Sequence, residues 1–354
     1  IRSCLVGSEM CIRDSLVSSH NNSGHGVSVI DSSNVELEQI HTSSNGLGTV
    51  LPSSGSGIYF HESNDVVSAG KNVSCTNCSS THDQHGVVIR DSIDIFLDGI
   101  TSREPLSGPA LDIDNSGITE REGRVSLSNI TVFQNSSTHS VKLNLADATI
   151  DNLEIVGSNY GVKWTATGGM TSYLNSSLIR GSQGCMELID HTDLVSSSVL
   201  FECESANPSV SSSFVNFTDS SFSTALGMSD TFSTLGNSHI RWISSSQIAT
   251  PNFTGSDNIV DIMWFVEANV VNQNLRNIPF SDVNFSFDQL EVEFTHTLPY
   301  SGREVVGPFI GQRWTPIQSW SQNTTMSPGC DYDDVHNDSA PIQLTSDSVV
   351  ICMV

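Results

Sequence analysis

A fifteen-residue pattern occurs twice without gaps. Gly26-Val-Ser-Val-Ile-Asp-Ser-Ser-Asn-Val-Glu-Leu-Glu-Gln-Ile40 aligns to Gly86-Val-Val-Ile-Arg-Asp-Ser-Ile-Asp-Ile-Phe-Leu-Asp-Gly-Ile100. The shared template is G-V-x-[VI]-x-D-S-x-x-[VI]-x-L-x-x-I. Its first half returns at Gly57-Ile-Tyr-Phe-His-Glu-Ser63 and at Ala110-Leu-Asp-Ile-Asp-Asn-Ser116, with Val125-Ser-Leu-Ser-Asn-Ile130 completing the latter. Looser copies begin at Ser140, Gly161 and Gly184. Starts spaced roughly 20 to 32 residues apart are the mark of a repeat architecture.

The physics of the template is direct. Val-x-Ile and Val-x-Leu alternate with period two, so each sets two apolar side chains on one face of a short strand. Asp-Ser or Asn-Ser between them makes a turn, because both side chains hydrogen-bond nearby backbone. One such unit cannot bury its own apolar face; stacked units bury it in a continuous core. Val27, Val87 and Leu111 are therefore expected in one interior file. A leucine-rich repeat would need L-x-x-L-x-L, helix-pair repeats a 3.6 period, and a propeller longer blades; none of these patterns is present.

The template resembles the coils of right-handed parallel β-helix proteins, the pectin-lyase-like superfamily, over about residues 20–205. The resemblance implies an all-β chain whose main part is a right-handed parallel β-helix (a solenoid). That superfamily holds polysaccharide lyases, glycoside hydrolases, tailspikes, adhesins and surface proteins, so it points to a polysaccharide or cell-surface glycan as partner. Beyond residue 205 the register fades. Asp261–Val270 reads as a longer strand, Asn274–Pro279 as a turn, Phe280–Phe287 as an alternating strand and Gln312–Ile317 as another. This order is similar to small Ig-like or prealbumin-like β-sandwich modules. The division expected is a β-helix over 16–235 and a smaller, β-sandwich-like region over 236–354.

Leu5-Val-Gly-Ser-Glu-Met-Cys-Ile-Arg-Asp-Ser15 is similar to one reading frame of a transposon adapter used in sequencing libraries. Residues 1–15 are accordingly expected to stand outside the fold, with the natural start of the chain and any export signal lying upstream. Setting aside Cys4 and Cys11 leaves six of the eight cysteines.

Composition narrows the function classes. Lys+Arg is 14 against Asp+Glu 39, a net charge of −25 that would repel phosphate backbones and argues against nucleic acid as a partner. No apolar run is long enough to span a bilayer. Scarce lysine, abundant Ser, Thr and Asn, and Asn-x-Ser/Thr sequons recurring from Asn21 to Asn337 suggest an extracellular or cell-surface protein. An even cysteine count fits an oxidising compartment. Cys330 and Cys352 are candidates for a bridge. Cys185 and Cys203 are another pair, with Cys185 reading equally well as a small buried residue in the template's first inward position.

Three constellations could carry chemistry. Cys75, Cys78, His82 and His85 form C-x2-C-x3-H-x2-H, the ligand types of zinc at a spacing much tighter than usual zinc modules. The plain alternative is a loop between coils. Gly24-His25-Gly26 resembles the G-H-G motif of polygalacturonases, but the partner motifs do not follow, and His85-Gly86 repeats the position as a register feature would. Asp31, Glu62, Asp91 and Asn115 share one corner of successive repeats, where Ca²⁺ could bridge them or each could simply bond its own turn. Arg90 and Arg180 read as isolated. Tyr59, Tyr160 and Trp164 are candidate sugar platforms, with Trp164 at the inward position of Val29. No catalytic residue is assigned, and no cofactor is required. The expectation is a non-catalytic secreted or cell-surface protein with a structural, adhesive or glycan-binding role; the alternative is a polysaccharide-degrading enzyme, a lyase or glycoside hydrolase, missing its upstream coils.

Overall fold

The structure is a computed structural model that describes residues 12–15, 18–30, 35–38, 40–45, 56–61, 73–76, 79–81, 85–92, 95–103, 105, 108–114, 125–134, 138–145, 148–156, 160–166, 171–181, 184–191, 193–203, 209–224, 231–245, 250–288, 292–317, 324–333 and 335–354. The protein is all-β. Its strands form a 20-stranded sheet, a 10-stranded sheet and a 5-stranded sheet. Among the described residues no helix is long and apolar enough to cross a membrane.

From Val27 to about Met263 the pairing is parallel, and the chain visits three ladders in a fixed order. Val27–Ile30 belongs to the ten-stranded sheet, Val35–Glu38 to a first ladder of the large sheet and His41–Ser43 to a second ladder of that sheet. The next round repeats the order with Ser56–His61, Val73–Thr76 and Ser79–Thr81, and the third with His85–Arg90, Ile95–Asp98 and Thr101–Arg103. In Val125–Phe133 and Ala148–Val156 one longer strand serves both ladders, bent at Asn129 and Asn152, which have φ of 52° and 57°.

The register explains the template. Val27 pairs with Ile58, Ile58 with Val87, and Val87 with Leu111, so the expected file forms. Two residues on, Val29, Phe60, Ile89, Ile113, Leu143, Trp164, Leu188 and Val210 make a second file, all buried. Leu127, Ile150, Leu174, Phe217 and Trp242 line the large sheet's side of the same continuous core. The template glycine is there for close approach: a Cβ on Gly86 would lie 2.0 Å from the Ala110 carbonyl oxygen. The loose repeat at 184 is shifted by one residue, because Gly184 pairs with Tyr160 and Met186 with Val162. Cys185 thus takes the small position, not the first inward valine position, and its carbonyl oxygen lies 2.1 Å from where a Cβ on Gly161 would sit.

The turn chemistry goes further than local bonds. Gly99, Asn129, Asn152, Ser176, Ser198, Asp219 and Ser244 occupy one corner in successive rounds, all with positive φ. The residue after each faces inward. Ser177, Ser220 and Ser245 there accept hydrogen bonds from the backbone N–H groups of Leu153, Val199 and Ser220 at 3.1, 3.3 and 3.2 Å. At another corner the His191, Ser213 and Ser238 N–H groups donate to Ser213 Oγ, Ser238 Oγ and Asn258 Oδ1 at 3.0, 3.4 and 3.1 Å. A hydroxyl can thus continue a ladder where the bent backbone cannot.

Two boundaries differ from the sequence reading. Ile12–Ser15, inside the segment expected to stand outside the fold, is a strand in register with Val35–Glu38. Parallel pairing is a main-chain property, so an open ladder edge accepts an extended segment of almost any composition. Parallel pairing also continues past residue 235, through Thr231–Leu235 with Thr250–Thr254 and His239–Ile243 with Ile259–Met263.

The last 90 or so residues are organised differently. Ile259–Val271 pairs parallel to His239–Ile243 through its first half, parallel to Ser348–Met353 through its second half, and antiparallel to Arg303–Trp314 along most of its length. Asp282–Phe287, Val292–Thr297, Thr325–Tyr332, Val335–Asp338 and Ile342–Gln343 form the separate antiparallel sheet. Val266, Ala268, Val270, Phe285, Met326 and Val350 from the two layers share a second core. Where the two arrangements meet, Arg313 grips buried Asp261 through Nε at 2.6 Å and Nη2 at 2.8 Å, and His239 Nε2 reaches the same carboxylate at 2.9 Å. Burial alone would raise the Asp261 pKa, but those bonds outweigh it and hold the carboxyl below its ordinary range.

Candidate functional site

Strict alternation puts every second side chain of the ten-stranded sheet on its outer face. Because the strands are parallel and in register, those side chains also form files with a step of about 4.8 Å. One file runs Tyr59, Val88, Asp112, Lys142, Lys163, Glu187. Its neighbour runs His61, Arg90, Asp114, Asn144, Thr165, Ile189. The face therefore collects rings at one end and charged and amide groups along its middle.

The rings are stacked. His25 lies on Tyr59 with centroids 4.2 Å apart and planes 4° apart, and Tyr59 faces His61 at 6.0 Å. His25 Nδ1 accepts the Ser56 backbone N–H at 3.3 Å. Burial, reinforced by the nearby His85, pushes the His25 imidazole down to about 4, so it is neutral at physiological pH. Further along, His139 packs obliquely against Tyr160 at 5.2 Å. Burial lowers the His139 pKa, and the opposing pull of Glu187 is weaker.

The charges are paired one round apart. Arg90 Nη2 donates to Asp112 Oδ2 at 2.6 Å, and its Nη1 donates to the Ile89 and Asp112 carbonyls at 2.9 and 3.1 Å. Asp112 is only 5% exposed although it points outward, and its second oxygen, Oδ1, accepts no hydrogen bond. Two residues on, Asp114 Oδ1 accepts from Asn144 Nδ2 at 3.1 Å. Lys163 Nζ meets Glu187 at 3.0 Å. The Asp112 Oδ1 oxygen is itself enclosed, and leaving it unbonded is costly.

The residues singled out by sequence are placed as follows. Cys75 lies in Val73–Thr76 of the large sheet, its Cα opposite Leu37 and Leu97, whereas His85 starts a strand of the ten-stranded sheet. Cys78 and His82 lie outside the described residues. Among the described residues no three His, Cys, Asp or Glu side chains are grouped so as to hold a metal ion. Of the corner residues Asp31, Glu62, Asp91 and Asn115, only Asp91 is described. It has φ 45°, and its N–H donates to the Asp114 carbonyl at 3.0 Å. Trp164 is fully buried and belongs to the core. Arg90 and Arg180 are not isolated, since they pair with Asp112 and Glu202. Cys185 bonds to Cys203 with Cα atoms 5.2 Å apart, and Cys330 bonds to Cys352 at 6.2 Å.

Sequence reasoning missed the ion pairs, although a signal for them exists. Arg90–Asp112, Arg180–Glu202 and His239–Asp261 are each 22 residues apart, one round of the repeat, so opposite charges at the repeat spacing mark cross-strand neighbours. No protein-family model matches the chain, and neither a curated protein nor a solved structure is similar to it.

Proposed function

We propose that the parallel stack winds as a right-handed β-helix and that the chain is a non-catalytic, secreted or cell-surface protein that lays an extended glycan along the outer face of the ten-stranded sheet. The observation that carries this reading is the strip itself: Tyr59 with its stacked imidazoles, then the Arg90–Asp112 pair, Asp114 and Asn144. Rings with apolar faces and convergent planar hydrogen-bonding groups are what a sugar chain requires, since each pyranose presents both a C–H face and a rim of hydroxyls. A file step of about 4.8 Å is comparable to the length of one pyranose, so successive sugars would meet successive strands. The two disulfides and the scarcity of lysine support an oxidising, extracellular setting. The terminal two-layer unit is read as an Ig-like module that presents or anchors the helix.

Affinity electrophoresis of the full chain through gels containing soluble polysaccharides tests the reading. Retardation by at least one of them, reduced in Tyr59→Ala and Arg90→Ala variants that remain folded, is expected; unaltered mobility in all of them would remove it.

A second reading rests on one feature. Asp112 and Asp114 lie on the same strand two residues apart, and two neighbouring carboxylates can divide acid and base roles on a glycosidic bond. Release of reducing ends from a bound polysaccharide, abolished in Asp112→Asn, would replace the binding function by hydrolysis; no release leaves binding alone.

A further inference from the structure

At one end of the terminal unit, two loops hold apolar side chains out into solvent. Leu275 is 71% exposed, Phe280 65% and Tyr300 80%. Phe280 and Tyr300 face each other with ring centroids 6.0 Å apart at 63°. The loops are knitted together: Asn277 Nδ2 donates to the Ser301 carbonyl at 3.0 Å, and the Phe280 N–H points to the Pro299 carbonyl at 3.5 Å. Gly302 makes the approach feasible, because a Cβ there would lie 2.6 Å from the Ile278 carbonyl oxygen.

Leu275 and Phe280 have φ of 58° and 56°. Bulky apolar residues rarely adopt this conformation, and neither gains burial by doing so. Asn272 fixes the first loop, its Oδ1 accepting from the Asn274 and Arg276 N–H groups at 2.9 and 3.1 Å. Strain carried by the exposed Leu275 and Phe280 has no return in folding and fits a surface kept ready for a ligand.

We propose that Leu275, Phe280 and Tyr300 form a second binding site, separate from the sheet face, that takes a neutral polysaccharide. Charge selects the ligand. The chain carries −25, and Asp282 and Glu304 stand on the strands that enter and leave these loops. Arg303 is neutralised by Glu267 at 2.6 Å, which leaves Arg276 as the one arginine of these loops for which no ion pair is found among the described residues. Anionic bilayers and acidic polymers are repelled by such a surface. Size selects as well: three side chains fall far short of the ~800 Å² per partner that a stable protein interface covers. A sugar ring needs only an apolar ring to rest on and a few polar neighbours, here Arg276, Asn277 and Ser301. The class of ligand rests on the glycan reading above; the location does not.

Affinity electrophoresis of the full chain in galactomannan, xyloglucan, laminarin and hydroxyethyl cellulose tests the site, with Phe280→Gly, Tyr300→Ala and Tyr59→Ala alongside the parent. At least one polymer should retard the parent, and Tyr300→Ala should weaken that retention about tenfold. Phe280→Gly is the decisive variant: it relieves the positive φ, so its melting temperature should be unchanged or higher while retention falls. Loss in the two loop variants with retention in Tyr59→Ala upholds this site and removes the sheet-face reading. Loss in Tyr59→Ala alone does the reverse. No retention of the parent by any polymer, or co-sedimentation with phosphatidylserine vesicles instead, overturns the proposal.

Discussion

The parallel stack and the terminal unit solve the same burial problem in opposite ways. In the stack, each interior strand pairs with strands one round before and after, so its contacts repeat at a sequence distance of about 19 to 38 residues. In the terminal unit, Val260–Asn269 pairs with Arg303–Trp314, and Asp282–Phe287 pairs with Thr325–Tyr332, over separations that follow no period. The stack can drift in composition, trading Leu127 for Ile150, Leu174, Ser196, Phe217 and Trp242 in one file, because each round needs only to match its neighbours. The terminal unit has no such tolerance: Phe285 is fully buried at its centre and meets Phe309 at 5.2 Å.

The largest test of this contrast is a cavity in each core. Trp164→Ala should cost about 4 kcal/mol in the stack, and Phe285→Ala a similar amount in the terminal unit. Urea unfolding followed by fluorescence should show the first variant lowering the stack's transition while leaving a separate, later transition for the terminal unit in place, and the second doing the converse. A single shared transition in both variants would mean that the two cores melt as one.

The junction should come next. Arg313→Leu leaves the carboxylate of Asp261, 1% exposed, with His239 alone, and should cost about 3 kcal/mol. Calorimetry should find the transitions of the two units less coupled than in the parent.

Acid sharpens the comparison. His191 is buried in the stack with its ring edge-on to Trp164, and burial pushes its pKa down to about 4 against the pull of the Trp164 carbonyl. A depressed histidine pKa means that the unfolded chain binds the proton first. Stability from this group is therefore complete above about pH 6.5 and lost as pH falls toward 4, an effect on the order of 3 kcal/mol. His191→Asn should flatten the pH dependence of the stack in that window. The terminal unit should respond with the opposite sign at the exposed His336, whose pKa is raised by its hydrogen bond to Asp331, so that its contribution is present at low pH and lost as pH rises through the raised value. The smallest effect is expected at the corners, where Ser220→Ala removes one hydroxyl that accepts the Val199 N–H and should cost about 1 kcal/mol.

Legibility in the sequence follows the same division. Period-two pairs and turn residues are local signals, so repeat starts at 26, 57, 86, 110, 140 and 161 coincide with the structural register. The start at 184 is one residue early because glycine is a strong sequence marker, whereas the position in question needs only a small residue, and Cys185 fills it. Past residue 205 aromatic and serine residues replace the aliphatic pairs and hide a parallel pairing that the main chain continues to make. The candidate face was legible only as single residues. Tyr59 stood out, but its stacking on His25 and the Arg90–Asp112 pair depend on which residues one round apart become neighbours, and that requires the register first. The exposed loop rings at Phe280 and Tyr300 left no signal, since strand-turn-strand patterning does not say which turn residues point outward.

The central claim is that successive rounds add one strand each to a single parallel ladder. Lys142, Lys163, Glu187, Ser209, Ser233 and Asn252 should then climb one file. Spin labels at Lys142 and Asn252, measured by pulsed electron paramagnetic resonance, should lie about 24 Å apart, five steps of about 4.8 Å, and labels at Lys142 and Ser209 about 14 Å apart, three steps. Two separations that do not grow with the number of rounds between the labels would contradict the account.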